Sequence, residues 1–499
     1  MKVFRVPGLV VVIGLLVGAV ILDRGVDLAE VEVETQAVTA VSTVAGETAL
    51  SSTWFCAAAT GVDGLANSEV VIANTGIEAA QAIVTVFEGA PEALIDAPVV
   101  EQELEIPPLA IESLRLADLA PEGSTVSVAV EVDRGGVLVD KVSSGPTGVA
   151  RSACASQAST DWVVTSGSTV PGSTLQLVVF NPFPDFATVD VDFVSEVGTR
   201  TPEDLIGLTI PSRASRTIEV SDVVAASESI SSFVRVRSGR VVVEGIQSFD
   251  GTGAPQGLSV ITGAPAPAPE WTFAGVTPAA GPARLVVVNP NDDDVRVDVE
   301  VFPAGDERFV EPFQVILQAG QNGIVDLVAE GRLSGVSSFS LVASTADGAG
   351  VVVGLEQRPE AEEPEPENVI IVEEDVDVPN TGFAASLGQP VAAEQLFTTA
   401  DISEDDGRST LHVFNPADDT FVTVVATVAI DGASREIELE VGPERTTQIL
   451  LAEMGAGRFS LALDASSPVV ATREITGLSS RSWAPLLPAV STDEATLEG

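Results

Sequence analysis

The chain of 499 residues is too long to fold around one hydrophobic core, so several domains of roughly 100 residues each are expected. Apolar residues make up 45% of the chain, are rich in Val and Ala, and occur among 43 Gly and 31 Pro, a composition that favours short strands and turns over helices. The 73 acidic residues against 24 Lys and Arg give a formal net charge of -49, which excludes nucleic acid as a partner because binding it needs a basic surface.

The chain begins with an apolar segment that we interpret as a membrane anchor. Lys2 and Arg5 precede an apolar run at residues 6–22, which as a helix would reach about 25 Å, just enough to span a bilayer. Because no A-x-A-like cleavage site follows the run directly, an uncleaved signal anchor over residues 1–24 is favoured over a signal peptide that is cleaved further on. The positive-inside tendency then places residues 25–499 outside the cytoplasm, as the bulk of a single-pass protein of the cell membrane.

Four segments share one pattern: an apolar run, an Asn, a turn and an alternating strand, as in LVVFNPFPDFATVDVDF from Leu177. The four Asn residues are separated by 107, 108 and 126 residues, a period typical of a sandwich domain. They are Asn74, Asn181, Asn289 and Asn415. Pro follows three of them, and an Asn side chain can cap a turn, so we interpret all four as structural turn residues.

About seven strands per repeat are counted from the alternating runs, which is the number in an immunoglobulin-like sandwich. The predicted fold is therefore all-β: four tandem immunoglobulin-like (fibronectin III-like) β-sandwich repeats of about 107 residues after an N-terminal transmembrane helix. Alternation as in residues 188–193 predicts that each sheet has one face packed and the other in water.

The period also predicts the domain boundaries. A segment that combines Pro with dense Glu is predicted to be an extended linker between repeats 3 and 4. The predicted parts are 1–24 (anchor), 25–50 (stalk), 51–157 (repeat 1), 158–265 (repeat 2), 266–358 (repeat 3), 359–388 (acidic linker), 389–489 (repeat 4) and 490–499 (disordered tail).

The chain has two cysteines, Cys56 and Cys154, at the start and near the end of repeat 1. We predict a disulfide between them, since an exported domain meets oxidising conditions. The alternative is two buried free thiols.

Catalysis is difficult to build from this composition. General-base work, nucleophile activation and zinc binding depend largely on His, Cys and Lys, which number one, two and two. His412 occupies a strand position that Val fills in the other three repeats, so we interpret it as a structural residue. We therefore expect a protein that is not an enzyme and has no cofactor.

An acidic cluster before Gly407 faintly resembles a calcium loop. Its candidate ligands are Asp401, Asp405 and Asp406. The Gly is one position late and His412 stands where the bidentate Glu belongs, so a solvated turn is the favoured interpretation.

WFCAAAT at Trp54–Thr60, the partner Cys154 and the repeated V-x-N-P hairpins carry a family resemblance. Together with the anchor, they make the chain resemble a large uncharacterised family of actinobacterial membrane-anchored envelope proteins with repeated β-sandwich domains, from whose pattern it departs by having Ala57 in place of Pro. That family has no assigned activity, so the resemblance implies a location and no mechanism.

These observations predict a non-enzymatic, membrane-anchored extracytoplasmic scaffold or interaction protein of the cell envelope, assisting assembly of the cell wall or a polysaccharide layer. Its expected partner is an envelope protein or glycan. Two alternatives stay open: a carbohydrate- or calcium-dependent adhesion module, and a carboxylate-based glycan hydrolase, since glycosidases use two acidic residues and this chain has many.

Overall fold

Strands make up most of the structure, a computed structural model. It describes residues 39–60, 65–88, 99–120, 125–252, 254–277, 282–305, 308–329, 331–358, 382–402, 409–454, 456–476 and 481–490. The helices in these ranges are short: α-helices Leu116–Leu119 and Leu451–Met454, and 3-10 helices Glu203–Leu205 and Val220–Asp222. The described part of the protein is therefore all-β, as its composition predicted. No helix within it is long and apolar enough to cross a bilayer, and the predicted anchor at residues 1–24 lies outside it.

The strands follow one order that recurs four times. Repeat 1 contains Ser52–Thr60, Asn67–Asn74, Ala80–Glu88, Val99–Ile106, Ile111–Arg115, Thr125–Val132, Val137–Gly145 and Gly148–Ala153. Repeat 2 contains Asp161–Gly167, Ser173–Asn181, Ala187–Ser195, the pair Gly198–Arg200 and Leu208–Ile210 in fourth place, Ala214–Glu219, Ile230–Ser238, Val242–Phe249 and Gly257–Thr262.

Repeats 3 and 4 keep this order. Repeat 3 contains Glu270–Val276, Ala283–Val288, Val295–Pro303, Phe313–Leu317, Asn322–Asp326, Phe339–Thr345, Val352–Gln357 and Ala384–Leu387. Repeat 4 contains Ala393–Ile402, Thr410–Asn415, Val422–Ile430, Ala433–Val441, Arg445–Leu450, Gly457–Thr476 in sixth and seventh place, and Arg481–Pro485 in eighth place. Two further strands, Val44–Ala45 and Leu487–Val490, flank the repeats.

Each repeat packs two antiparallel sheets into a sandwich. One sheet has the strand order 1-6-3-4 and the other has the order 5-2-7-8. The second strand thus pairs with the fifth and the third with the sixth, which are the central B–E and C–F pairings of the constant-type immunoglobulin sandwich. The edges differ from that type, because the first strand lies beside the sixth and the seventh lies beside the second. The prediction of β-sandwich repeats is confirmed, whereas the edge strands do not follow the immunoglobulin-like order.

In the 1-6-3-4 sheets, the burial of side chains follows the alternation of apolar and polar residues in the sequence. In Ala187–Ser195, Val189 and Val191 are buried in the core while Thr188 and Asp190 are partly exposed. The 5-2-7-8 sheets behave differently, since every residue of Val242–Phe249 is buried. One face of this sheet closes the sandwich and the other contacts a neighbouring repeat, so the prediction of a wet face is wrong here.

The four repeats form a closed ring. The eighth strand of each repeat neighbours the eighth strands of both adjacent repeats, and repeat 4 contacts repeat 1. A hydrogen bond joins the repeats at each of the four junctions. Thr262 Oγ1 donates to Ala153 O (3.0 Å) between repeats 2 and 1, and Ser259 Oγ donates to Ala385 O (3.3 Å) between repeats 2 and 3. Gln389 Nε2 donates to Leu486 O (2.7 Å) between repeats 3 and 4, and Ser482 Oγ donates to Arg151 O (3.4 Å) between repeats 4 and 1. The eighth strands therefore surround the centre of the ring.

Segments from both ends of the repeat array meet at the junction between repeats 4 and 1. Val44–Ala45 pairs in parallel with Leu487–Val490, which also pairs with the first strand of repeat 4. This pairing adds backbone hydrogen bonds to a junction that no linker crosses.

Repeat 3 extends beyond its predicted end at residue 358. Strand Ala384–Leu387 pairs with Val352–Gln357 and is the eighth strand of this repeat. It comes from the segment 359–388 that was predicted to be a linker, of which residues 359–381 lie outside the described part. The acidic segment is therefore an insertion between two strands of repeat 3, and the short apolar strand after it was missed because it follows a long charged run.

Candidate functional site

The four repeated Asn residues occupy equivalent buried positions at the end of the second strand. Asn181 Oδ1 accepts a hydrogen bond from Phe183 N at 3.1 Å, which caps the turn as predicted from the Asn-Pro pattern. Asn181 Nδ2 donates to Asp185 O at 2.7 Å and to Pro211 O at 3.0 Å. Asn74, Asn289 and Asn415 make the corresponding bonds. Each Asn thus ties the turn after the second strand to the turn after the fourth, which is a structural role.

Cys56 and Cys154 form a disulfide that joins the first strand of repeat 1 to the segment after its eighth strand. Both residues are fully buried in the hydrophobic core of repeat 1. The prediction of a disulfide is confirmed, and the free-thiol alternative is set aside.

A contact of one kind recurs at the junctions. The first strand of one repeat packs, at its middle, against the second and seventh strands of the next repeat. At the 1–2 junction Ala58 N donates to Glu244 Oε2 at 2.7 Å. At the 2–3 junction Gly354 lies so near Thr165 that a Cβ on it would come within 2.2 Å of Thr165 Oγ1. A Cβ at this position would clash with the Thr165 side chain, so glycine is required at position 354.

His412 lies at the equivalent contact between repeats 3 and 4. It is 2% exposed, and a Cβ on Gly275 would come within 2.0 Å of its Cγ. Its Nε2 lies 3.3 Å from Glu474 Oε2. Phe302 packs on Phe414 nearby, with ring centroids 5.3 Å apart. The single His is thus part of an interface between repeats.

The junction between repeats 1 and 2 contains a buried ion pair. Lys141 Nζ lies 2.5 Å from Glu244 Oε2, and both side chains are 0% exposed. Removing one partner would leave an uncompensated charge inside the protein, which typically costs about 3–5 kcal/mol. The pair therefore favours one fixed arrangement of the two repeats.

The junction between repeats 4 and 1 is ionic. The Arg458 guanidinium donates to both Glu69 oxygens, at 3.0 and 3.1 Å, and to Asp401 Oδ2 at 3.0 Å. Deeper in the interface, Arg473 Nη1 lies 3.3 Å from Asp140 Oδ2. These pairs close the ring where no linker joins the repeats.

Opposing influences act on the carboxylates of these junctions. Burial raises the pKa of Glu69, but hydrogen bonds from Arg458 and Ser113 outweigh it, so the net pKa lies below the usual range. Burial raises the pKa of Glu356, in the seventh strand of repeat 3, even though Arg358 lies 3.3 Å away. The net pKa shift of Glu69 therefore comes from its hydrogen bonds, and that of Glu356 comes from burial.

The calcium candidates do not form a ligand cluster in the described residues. Asp401 pairs with Arg458 and lies 3.8 Å from Arg151, so its carboxylate is engaged by cations of the protein. Asp405 and Asp406 lie outside the described part. Within that part, no three His, Cys, Asp or Glu side chains are placed to bind a metal ion.

Two cavities differ in what they can hold. At the ring centre, a cavity of about 70 Å³ is lined by Val41 and by eighth-strand residues that include Arg151 and Trp483. It has room for about two water molecules, which makes it a packing feature. On repeat 3, an open cleft of about 610 Å³ lies between the fourth strand, Phe313–Leu317, and the fifth strand, Asn322–Asp326. The cleft is large enough to receive several side chains.

Sequence reasoning did not single out the interface residues Asp140, Lys141, Glu244 and Arg473. One signal was present: Lys141 is one of two Lys in the chain and stands beside Asp140 in a strand whose other residues carry no charge. A charged residue in such a strand indicates either an exposed edge or a buried partner.

The fold and the junctions define an all-β protein of four β-sandwich repeats closed into a ring. Residues 138–360 match the sequence model of a family described as a family of unknown function, DUF5719. The match begins in the seventh strand of repeat 1 and ends just after the seventh strand of repeat 3, so it spans two junctions of the ring.

Among solved structures, the chain is similar to one described as the crystal structure of a tetra-tandem repeat in the extending region of a large adhesion protein. The identity is 12%, and the match covers 84% of this chain and 93% of that chain with a TM-score of 0.09. A score this low carries no argument about fold or function. No curated protein matches the chain.

Proposed function

We propose that this protein is a non-enzymatic scaffold of the cell envelope, anchored in the membrane by its N-terminal segment and presenting a ring of β-sandwiches on the extracytoplasmic side. The observation that carries the proposal is the closed ring, in which ion pairs and backbone pairing hold the four repeats together. A closed ring presents its outer surfaces at fixed distances from one another. Such a platform suits the assembly of cell wall or polysaccharide by bringing partners together.

The Cys, Lys and His side chains in the described part of the chain have structural roles, which supports a non-enzymatic function. Cys56 and Cys154 are bonded to each other, Lys141 is buried against Glu244, and His412 is buried between repeats. These side chains are the usual nucleophiles and bases of enzymes, and here they hold the fold.

Two features support the proposed location. The apolar run at residues 6–22 follows Lys2 and Arg5, as in a signal anchor. The disulfide suits an oxidising compartment outside the cytoplasm. An epitope tag at the C-terminus tests this directly: antibody should label it on intact spheroplasts, and labelling that needs permeabilised cells would contradict the proposed orientation.

A binding experiment tests the scaffold role. The full-length chain, purified in a mild detergent, is incubated with solubilised envelope proteins and with purified wall glycans, with and without calcium. Recovery of a defined envelope protein or glycan is expected. Recovery that requires calcium would favour the adhesion alternative, and release of reducing sugar from envelope polysaccharide would contradict a non-enzymatic role.

A further inference from the structure

The fourth strand of each repeat is an edge of its sheet in the described part of the chain. Such edges present unpaired N–H and C=O groups that can pair with another chain, and proteins protect them with charge or interruption. Repeats 1 and 4 carry a row of exposed Glu on this strand: Glu101, Glu103 and Glu105, and Glu436, Glu438 and Glu440. Repeat 2 divides the edge into strands Gly198–Arg200 and Leu208–Ile210. Three of the four edges are thus protected.

Repeat 3 is different. Its fourth strand, Phe313–Leu317, reads FQVIL and has no charged residue. The penultimate residue of this strand is Ile316, which is 72% exposed. The same position holds Glu105 in repeat 1 and Glu440 in repeat 4. Among the described fourth strands, that of repeat 3 is the one that is both continuous and uncharged. It exposes an apolar side chain to water where repeats 1 and 4 expose a carboxylate.

The open cleft of repeat 3 lies along this edge. Phe313 and Val315 line one wall, and Ile324 and Val325 line the other. The Arg332 guanidinium carbon lies 4.5 Å from the centroid of the Phe313 ring, at the same cleft. The edge thus offers backbone groups, and the cleft beside it offers apolar side chains together with the charged residues Glu311, Asp326 and Arg332.

We propose that the fourth strand of repeat 3 accepts an extended peptide strand from a partner protein, with apolar side chains at alternate positions and Lys or Arg between them. In an added strand, main-chain hydrogen bonds give affinity, and every second side chain points to the same face. One set would enter the cleft beside Phe313 and Val315. The other set would lie beside Gln314 and Ile316 on the solvent face.

Charge decides between classes of partner. The chain has a formal net charge of -49, so it attracts a basic peptide and repels an acidic segment or a second copy of itself. The inference rests on the proposed scaffold function, for which it names a class of partner.

Fluorescence anisotropy with a defined probe tests the proposal. The full-length chain in mild detergent is titrated into labelled acetyl-KVKVKVKV-amide and, separately, into acetyl-KPKPKPKP-amide, which has the same charge but cannot pair as a strand. Saturable binding of the first peptide is expected, at least tenfold tighter than that of the second. Hydrogen exchange at residues 313–317 should slow when the first peptide is present.

Two matched variants locate the site. Ile316→Glu restores the residue found in repeats 1 and 4 and should weaken binding at least tenfold. Ile77→Glu makes the same change at an exposed Ile in a turn of repeat 1, 83% exposed, and should leave binding unchanged. Both variants add one negative charge, so a general attraction to the acidic surface cannot explain a difference between them.

Four results would overturn the proposal. Equal binding of the two peptides, or equal binding by wild type and Ile316→Glu, would show general charge attraction. A dimer in light scattering that Ile316→Glu abolishes would assign the edge to a second copy. If the peptide does not bind while envelope material still recovers a partner, this surface is excluded and the scaffold function stands.

Discussion

Replacing Lys141 with Met would leave the Glu244 carboxylate buried without its cation. Loss of one partner of a buried ion pair typically costs about 3–5 kcal/mol. Ala58 N still donates to Glu244 Oε2 at 2.7 Å, so we expect the lower end of that range, about 3 kcal/mol. A double variant, Lys141→Met with Glu244→Leu, removes both charges and should recover most of this loss, since apolar replacements of buried pairs are often neutral.

Hydrogen exchange measures the loss of stability in the strands that carry Lys141 and Glu244. A loss of about 3 kcal/mol corresponds to roughly 100-fold faster exchange, which should appear in Val137–Gly145 and Val242–Phe249. Arg296→Met is the matched control, because Arg296 pairs with Asp298 at the surface and such pairs contribute about 1 kcal/mol or less. A buried, stabilising ion pair is ruled out if Lys141→Met behaves like the control, or if the double variant is as unstable as the single one.

The other predictions concern pH and the disulfide. The pKa of Glu69 is lowered in the folded state, so its stabilising contribution is present above about pH 4.5 and is lost as the pH falls through the folded pKa. Arg458→Gln should therefore flatten the acid side of the melting-temperature profile, and an unchanged profile would contradict this. The pKa of Glu356 is raised by burial, so stability falls as the pH rises from about 4.5 through the folded pKa. Glu356→Gln should raise the melting temperature more at pH 7 than at pH 4, and equal shifts at both would argue against the assignment. Reducing the disulfide between Cys56 and Cys154, 98 residues apart, should lower the free energy of unfolding by up to about 4–5 kcal/mol, as denaturant titrations with and without reductant can measure. Two alkylatable thiols in the unreduced native protein would rule the bond out.

Local features of the fold could be predicted from the sequence because they repeat. The period of the Asn residues indicated four sandwiches, and the Asn-Pro pattern indicated the turn that Asn181 Oδ1 caps. The second tie, from Asn181 Nδ2 to Pro211 O, joins residues 30 apart in sequence. No local pattern encodes it, since it depends on where the fourth strand ends.

The junctions could not be predicted in the same way. Alternation tells which side chains share a face of a strand, and it does not tell what covers that face. Charged residues such as Asp140 and Lys141 are ordinarily found in water, whereas here neighbouring repeats bury both of them. The edge strand of repeat 3 could be predicted in part. The sequence FQVIL shows that the strand has no charge, but the contrast with Glu105 and Glu440 is seen only when the fourth strands of the repeats are aligned.

The closed ring also limits how the gene could have grown. Linear repeat arrays can gain or lose a unit, because each unit contacts only its neighbours and special terminal units cap the stack. Here every repeat has a neighbour on both sides, and the parallel pair of Val44–Ala45 with Leu487–Val490 joins the last repeat to the first. A fifth copy would have to break that junction, so duplication of a unit should be selected against. Additional length can enter between two strands of one repeat, which is where the acidic residues 359–381 stand in the sequence.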